Sequence, residues 1–304
     1  MRWLLMPLSI AVALASCAND VAEADRRAED ALKAKQATEL ETKERLMAEE
    51  RVKAADRNAE MEEARRREAE AGQEFAVGPI IKGEDKDPAK IVERAVELMG
   101  GREKVAAVKT LTGRAELSGA VDQAYDFTLE YPDKMVVDFL DAKGQVNRAM
   151  LVNGAKAYNI TRGKVTEFVS PMLEDTLLSI RGDPLCLMIT LAAGGWGQQI
   201  TYLGQATVAG KRTDAIRIAP TMSKEIIAFF DAQTSQLIAT RYEMAQGLVT
   251  VIDEQFEPIS GVKIGVVGKQ IVGSMISTVK VSEIEINPAL PKGRFDTMQH
   301  PLIR

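Results

Sequence analysis

The chain has 304 residues, 46% of them hydrophobic, and a formal net charge of −5 at pH 7. This length accommodates one or two domains, and the mildly acidic charge, without a long basic cluster, argues against a nucleic-acid-binding protein. The single histidine, His300, lies in the C-terminal tail, which excludes most Ser-His and Cys-His catalytic arrangements unless that tail folds back. The two cysteines, Cys17 and Cys186, allow at most one disulfide.

The first 16 residues have the layout of a secretory signal peptide. Arg2 supplies a positive charge, an apolar stretch runs from Leu4 to Leu14, and two small residues precede Cys17. The stretch is shorter than the roughly 20 residues that a membrane-spanning helix needs. The sequence Leu-Ala-Ser-Cys resembles the bacterial lipobox, which implies that residues 1–16 are a lipoprotein signal peptide and that Cys17 is lipidated. A plain signal peptide with a chance cysteine is the alternative.

Lipidation of Cys17 would anchor the protein on a membrane. Several acyl chains hold a protein stably, because each buried methylene contributes about 0.8 kcal/mol. Residue 18 is alanine, whereas the enterobacterial sorting rule for such lipoproteins uses aspartate at this place to retain them in the inner membrane. The resemblance therefore implies a lipid-anchored protein of the bacterial cell envelope, in the outer membrane and facing the periplasm.

Residues 17–72 are expected to form the lipid anchor followed by a long charged α-helix, a stalk. Between residues 21 and 71 there is no glycine or proline, and the composition is dominated by Ala, Glu, Lys and Arg, all strong helix formers. An apolar residue recurs every seven positions from Leu40 to Met61, but the second apolar stripe of a coiled coil is mostly missing. A lone helix, a weak coiled coil and a disordered segment all remain open.

Residues 73–87 are predicted to be a linker and residues 88–304 a single C-terminal domain. The domain opens on a helix, because Asp87 is a favourable N-cap and Pro88 a favourable first helical residue. A short turn follows at 102–108, and the hydrophobic period then changes from helical spacing to two.

That alternation predicts thirteen strands joined by hairpin turns, such as those at Asn153-Gly154 and Ala209-Gly210. A helical break, predicted at Met172–Ile180 and Pro184–Ala193, divides the strands into two groups. The domain is therefore expected to be mainly β, an antiparallel sheet with a helical insertion in its middle.

Five segments in order resemble the bacterial lipoprotein-carrier superfamily, the LolA/LolB-like proteins. They are MGGREKVAAVKTLTGRAEL, FTLEYPDKMVVDF, AMLVNGAKAYNI, IIAFFDAQTSQLIATRYEM and INPALPKGRFD. The resemblance covers roughly residues 88–298. It implies a half-open antiparallel β-barrel with a helical plug or lid and a hydrophobic cavity for acyl chains. In the soluble carrier of this family an arginine before the proline turn helps to close the lid. Tyr131 stands there in this chain, so the resemblance does not extend to that carrier's energised cycle.

Candidate ligand-binding residues are the apolar side chains that alternation and the helical break bring toward the barrel interior: Phe127, Leu129, Tyr131, Val137, Phe139, Leu185, Met188, Trp196, Ile227 and Phe229. The strand around Ile227 and Phe229 reads as buried on both faces. A barrel filled with lipid and a barrel filled by its own side chains give the same pattern, so both interpretations remain open.

No residue pattern predicts an enzyme, a metal site or a bound cofactor. Cys186 lies on an apolar helix with no histidine near it in sequence, which favours a buried structural thiol over a nucleophile. The glycine-rich stretch at 194–197 follows a helix and lacks the Lys-Ser/Thr of a phosphate-binding loop, so it is predicted to be a loop beside the lid. No cluster has metal-ligand spacing.

These patterns together predict a membrane-anchored periplasmic lipoprotein. It would bind lipid, or the acyl chains of lipoproteins, in a hydrophobic barrel cavity and act in transport or sorting. The expected partners are the acylated ligand, the membrane and an envelope protein. The alternative is a non-enzymatic interaction or sensing module of the same fold, with a filled core and a protein partner.

Overall fold

The structure, a computed structural model, describes residues 75–194, 199–219 and 224–303. The predictions for the signal peptide, for lipidation of Cys17 and for the stalk at 17–72 lie outside the described residues, as does Trp196. Within those ranges, no helix has the length and apolar character needed to cross a membrane.

Four helices are present in the described residues: α1 (Pro88–Met99), α2 (Arg102–Ala106), α3 (Met172–Gly182) and α4 (Pro184–Ala192). Thirteen strands make up the rest of the regular structure: β1 (Thr110–Gly119), β2 (Gln123–Glu130), β3 (Lys134–Leu140), β4 (Val146–Asn153), β5 (Lys156–Thr161), β6 (Lys164–Glu167), β7 (Gln199–Val208), β8 (Lys211–Ala219), β9 (Ile226–Asp231), β10 (Leu237–Met244), β11 (Gly247–Ile259), β12 (Val262–Val272) and β13 (Met275–Ile286). Two 3-10 turns, Thr297–Gln299 and Pro301–Ile303, follow in the tail.

The strands form one antiparallel sheet in the order β6-β5-β4-β3-β2-β1-β13-β12-β11-β10-β9-β8-β7. Every pairing joins strands consecutive in sequence except that of β1 with β13, which brings the two strand groups together in the middle. The sheet is curled but open, with β6 and β7 at its edges. Helices α3 and α4 connect these two edge strands.

The local sequence explains where the helices begin. The Asp87 carboxylate accepts a hydrogen bond from the Ala89 N–H at 3.0 Å, and Pro88 opens α1. Asp183 separates α3 from α4, and its Oδ1 accepts hydrogen bonds from the Leu185 and Cys186 N–H groups at 3.1 and 3.0 Å. These caps satisfy N–H groups that the first turn of a helix leaves without partners.

The helices cover one face of the sheet, called here the inner face. The largest hydrophobic cluster lies between this face and the helices and includes Val96 of α1, Leu187 of α4 and Ile218 of β8. Two smaller clusters lie on the other face, the outer face. One is centred on Phe229, and the other includes Val136, Leu151 and tail residue Phe295.

The segment before α1 is more than a linker. Val77 and Ile81 form bridges with Val208 and Gln205 of edge strand β7, and Phe75 packs against the outer-face cluster of Phe229. The predicted linker at 73–87 therefore includes residues that pair with the edge strand and cover part of the sheet. Covering an edge strand protects its free backbone groups from pairing with other chains.

The mainly β, antiparallel fold predicted from alternation is confirmed, including the helical break between the two strand groups, and so is the half-open form that the resemblance implied. The turn expected at 102–108 is partly wrong, because Arg102–Ala106 forms the short helix α2. The hairpin turns are local signals, which is why the strand ends agree within a few residues.

Candidate ligand-binding site

A cavity of about 400 Å³ lies between the inner face of the sheet and the junction of α3 and α4. Its walls are mostly apolar, and residues of eight strands, β1–β4 and β10–β13, line it together with residues of α3 and α4. The main contributors are Leu111, Ala115, Leu117, Tyr125, Phe127, Leu129, Met135, Val137, Phe139, Met150, Val251, Ile264, Val279 and Val281 from the strands and Ile180, Pro184, Leu185 and Cys186 from the helices.

Five of the predicted site residues meet at this cavity. Phe127 and Leu129 of β2 and Val137 and Phe139 of β3 line one wall, and Leu185 of α4 lines the helical side. The β2–β3 register places Phe127 opposite Val137, so the two strands present their apolar residues to the same face.

Tyr125 adds a second aromatic ring beside Phe139. Their ring centres are 5.9 Å apart, with an interplanar angle of 57°, within the range typical of attractive aromatic pairs. Burial raises the pKa of Tyr125 to about 12, with a further contribution from the charge of Asp183. Tyr125 is thus a neutral group at this wall.

Two predicted residues lie close to the cavity without lining it. The Tyr131 hydroxyl is 3.4 Å from the Cys186 sulfur, and burial raises the pKa of both groups well above their usual values. Met188 is buried in the inner core and borders a separate space of about 40 Å³ between α1 and α4. The expectation that Tyr131 and Met188 line the cavity is corrected: Tyr131 follows the end of β2, and Met188 lies a helical turn beyond Leu185.

Ile227 and Phe229 do not line the cavity either. Both belong to the outer-face cluster, whereas Ala228 and Phe230 face the inner core. The prediction that β9 is buried on both faces is correct, but the choice of the inward-facing residues was wrong. Both sets are apolar, so alternation alone could not say which set faces inward.

Several cavity residues were not among the predicted ones. Val279 and Val281 alternate along β13, and Ala115 faces the same wall from β1, directly opposite Val281. Their period-two spacing was visible in the sequence. The pairing of the last strand with the first was not, and that pairing puts this wall in the middle of the sheet.

Two carboxyl groups interrupt the apolar lining, those of Asp183 and Asp253. Burial raises the pKa of Asp183 above its usual range in spite of the hydrogen bonds that it accepts from Cys186 and Leu185. Burial, with a smaller contribution from Asp183, raises the pKa of Asp253 to about 8. In the sequence, Asp253 follows Val249 and Val251 at period-two spacing, so it occupies an inward position of the same strand. This signal for Asp253 was missed because the selection of candidate residues followed apolar side chains.

The described residues contain no group of three or more His, Cys, Asp or Glu side chains able to hold a metal ion. His300 is buried, and its ring bonds Asp138 on the outer face, the opposite side of the sheet from Cys186 in the inner core. The arrangement provides an apolar compartment with a few polar groups in its wall, which suits binding.

No model of a known protein family matches the chain, and no curated protein matches it. Among solved structures, it is similar to a DUF1329 family protein from Desulfovibrio piger, with 11% identity over 70% of this chain and 98% of that one, and a TM-score of 0.50. It is also similar to a LolA superfamily protein from Nitrosomonas europaea, with 13% identity over 69% of this chain and 97% of that one, and a TM-score of 0.48. At these identities the likeness to the Desulfovibrio piger protein shows the fold alone. The fold that the sequence resemblance implied is confirmed, because the described domain has an open, curled antiparallel sheet with helices over its inner face.

Proposed function

We propose that this domain binds the acyl chain of a lipid or of an acylated lipoprotein in its inner cavity, without covalent chemistry. The observation that carries the proposal is the cavity of about 400 Å³, since small-molecule sites typically have about 300–1,000 Å³ and mostly apolar walls. A volume at the lower end of that range suits one chain better than several.

The energetics favour such a ligand. Each methylene moved from water into an apolar wall contributes about 0.8 kcal/mol. Ten buried methylenes would contribute roughly 8 kcal/mol before the cost of ordering the chain is subtracted. Branched side chains such as Val279 and Val281, together with unbranched Met135 and Met150, make up the walls, and methionine adapts readily to ligands of different shape.

We further propose that the protein is a lipid-anchored component of the bacterial envelope that faces the periplasm and takes part in lipid or lipoprotein transport. The lipobox at Cys17 supports the anchor, and the ordered superfamily motifs support the carrier role. The alternative, an interaction or sensing module with a filled core, receives less support, because the space beside Phe127 and Val281 is not filled by side chains.

The test uses the full chain with Cys17→Ser, which removes the predicted lipidation site. Protein purified from a bacterial host is denatured and extracted, and the extract is analysed by mass spectrometry for lipids and acylated peptides. Recovery of one acylated species per chain would support the proposal, and its mass would distinguish a glycerolipid from a lipoprotein fragment. A chain that carries no lipid and does not bind a fluorescent fatty-acyl probe would contradict it.

A matched pair of variants ties binding to the cavity. Val281→Trp places a large ring in the cavity, whereas Lys280→Trp places the same ring on the exposed side of the same strand. We expect the first to weaken probe binding at least about tenfold, since the ring occupies the space of several methylenes. The second should leave binding unchanged. Equal affinities in the two variants would place the ligand elsewhere.

A further inference from the structure

The Asp253 carboxyl differs from the other acidic groups in the interior. Asp138 bonds Arg294 and His300, Asp175 bonds Lys224, and Asp214 bonds Lys86. These contacts are the expected state, because buried carboxylates are costly unless they are paired or hydrogen-bonded. For Asp253, no hydrogen bond or ion pair involves its side chain among the described residues.

The backbone places this carboxyl in the cavity wall. The pairing of β11 with β12 shifts register twice just after Asp253, between Asp253 and Gln255 and again between Gln255 and Phe256. Such bulges change the direction in which nearby side chains point. On β12, Gly265 leaves the room that the carboxyl occupies, since a Cβ there would lie 2.5 Å from the Asp253 Cγ. Asp253 borders both the main cavity and the smaller space beside α1.

We infer that Asp253 is the polar recognition point of the cavity and that it selects acyl ligands whose polar end is uncharged or cationic over those whose polar end is an anion. This inference rests on the proposed function. A carboxylic acid can donate a hydrogen bond to an ester or amide oxygen of an acylated lipid or peptide. A carboxylate can pair with an ammonium group, and it repels an anion.

The cationic side chains nearby are already engaged. The Lys269 ammonium donates to the Thr278 hydroxyl at 3.0 Å and lies over the ring of Phe75, on the outer face. The Lys263 ammonium donates to the Gln236 side chain at 2.9 Å. An anionic ligand would therefore meet two carboxyl groups in the cavity. Lys263 borders only the smaller space beside α1. Lys269 belongs to the cavity wall, but its ammonium is held by Thr278 and Phe75.

Besides Lys269 in the cavity and Lys263 in the smaller space, the titratable groups that line the cavity with Asp253 are Asp183 and Cys186 from the α3–α4 junction, Tyr242 from β10 and Tyr125 from β2. Burial raises the pKa of both tyrosines and of the Cys186 thiol, so these groups keep their protons near neutral pH. Asp183 also has a raised pKa, so the experiment must separate it from Asp253.

Calorimetric titrations of the full chain with Cys17→Ser provide the test. Three amphiphiles share a chain of twelve carbons and differ in a polar end that does not titrate: monolauroyl glycerol, dodecyl sulfonate and dodecyltrimethylammonium. Each is measured below its micelle concentration at about pH 6 and about pH 9, on either side of the pKa of Asp253 near 8. Any response to pH then belongs to the protein.

With rising pH we expect the anion to bind at least about tenfold more weakly and the cation more tightly, because a new carboxylate repels the first and attracts the second. The neutral ester should change less than either. In Asp253→Asn the affinity for each of the three probes should differ by no more than about twofold between the two pH values. Glu254→Gln changes an exposed neighbour on the same strand and should behave as the wild type.

Two outcomes would overturn the inference and leave the proposed function standing. One is binding of the probes with no opposite response of anion and cation in the wild type, a result that needs no variant. The other is a response that persists in Asp253→Asn, which would assign it to Asp183. If none of the three probes binds at either pH, the proposed function itself fails.

Discussion

The imidazole of His300 lies 2.8 Å from a carboxylate oxygen of Asp138, 162 positions earlier in the chain. The Leu302 N–H donates to the His300 Nδ1, so Nε2 carries the proton and donates to Asp138. Arg294 binds the other carboxylate oxygen at 2.6 Å and also contacts Thr128. Through this cluster the C-terminal tail is fastened to the outer face of β2 and β3.

Removing the carboxylate at the centre of this cluster should destabilise the domain. We expect Asp138→Ala to lower the free energy of unfolding by about 3 kcal/mol, because it leaves the Arg294 charge largely buried without its partner. His300→Ala should cost about 1–2 kcal/mol through the lost hydrogen bonds to Asp138 and Leu302 and the lost packing of the ring. Urea denaturation measures both, and Glu254→Ala is the control at an exposed site. Equal midpoints for Asp138→Ala and the control would show that the cluster contributes little.

The stability of the wild type should respond to pH through Asp253. Its pKa is about 8 in the folded state, above the unfolded value of about 3.9. The folded state therefore holds this proton more tightly, and its contribution to stability declines as the pH rises from about 4 toward 8. Asp253→Asn has no such loss, so its Tm should exceed that of the wild type at about pH 8, and the difference should shrink toward pH 4.

Thermal melts at several pH values measure this difference. Hydrogen bonds from His300 and Arg294 hold the pKa of Asp138 below its usual range although burial opposes them. The stability that Asp138 provides is lost as the pH falls through its folded pKa, but this loss is common to both proteins and cancels in the comparison. A variant less stable than the wild type at about pH 8 would show that the carboxyl has a structural partner.

The segment at 75–87 should be required for a stable domain. A chain that begins at residue 88 lacks Phe75 and Val77, which pack on the outer face, and Lys86, which pairs with Asp214 at 2.7 Å. We expect it to unfold with about 3 kcal/mol less free energy than a chain that begins at residue 75, from the lost apolar burial. It should also aggregate more readily, because β7 becomes a free edge. Coincident denaturation curves would contradict this.

The Cys186 thiol should not react in the folded protein. It is 4% exposed, and burial raises its pKa well above the usual value, so little thiolate is present and access is poor. A maleimide reagent applied to the Cys17→Ser chain should label Cys186 only after denaturant is added. Rapid labelling under native conditions would show that the α3–α4 junction opens toward the cavity.

Cys17 is predicted to carry the membrane anchor. Protein expressed with its own first 16 residues in a bacterial host should be cleaved before Cys17 and gain the mass of acyl chains, which partition it into membranes. Mass spectrometry of the intact protein measures the gain, and Cys17→Ser should lack it. An unmodified mature chain in the soluble fraction would favour a plain signal peptide.

Much of the fold was predictable because its signals are local. Period-two alternation and turn residues such as Asn153-Gly154 specify each hairpin within about ten residues of sequence. The same alternation identified Phe127 and Leu129, since β2 has one apolar and one polar face and can turn only the apolar one inward. The hairpin that pairs β3 with β2 then placed Val137 and Phe139 on the same side.

The remainder depended on contacts between distant parts of the chain. Both faces of β9 are apolar, so its orientation depends on residues 75–81 covering one face and the helices covering the other. The pairing of β1 with β13 and the exposure of Asp253 to the cavity are likewise long-range. Sequence alone determined the strands, the helical break and part of one cavity wall. Only the tertiary structure decided which apolar face of β9 turns inward and that a cavity remains on the inner face. The physical reason is that the burial of an apolar surface depends on which other parts of the chain cover it.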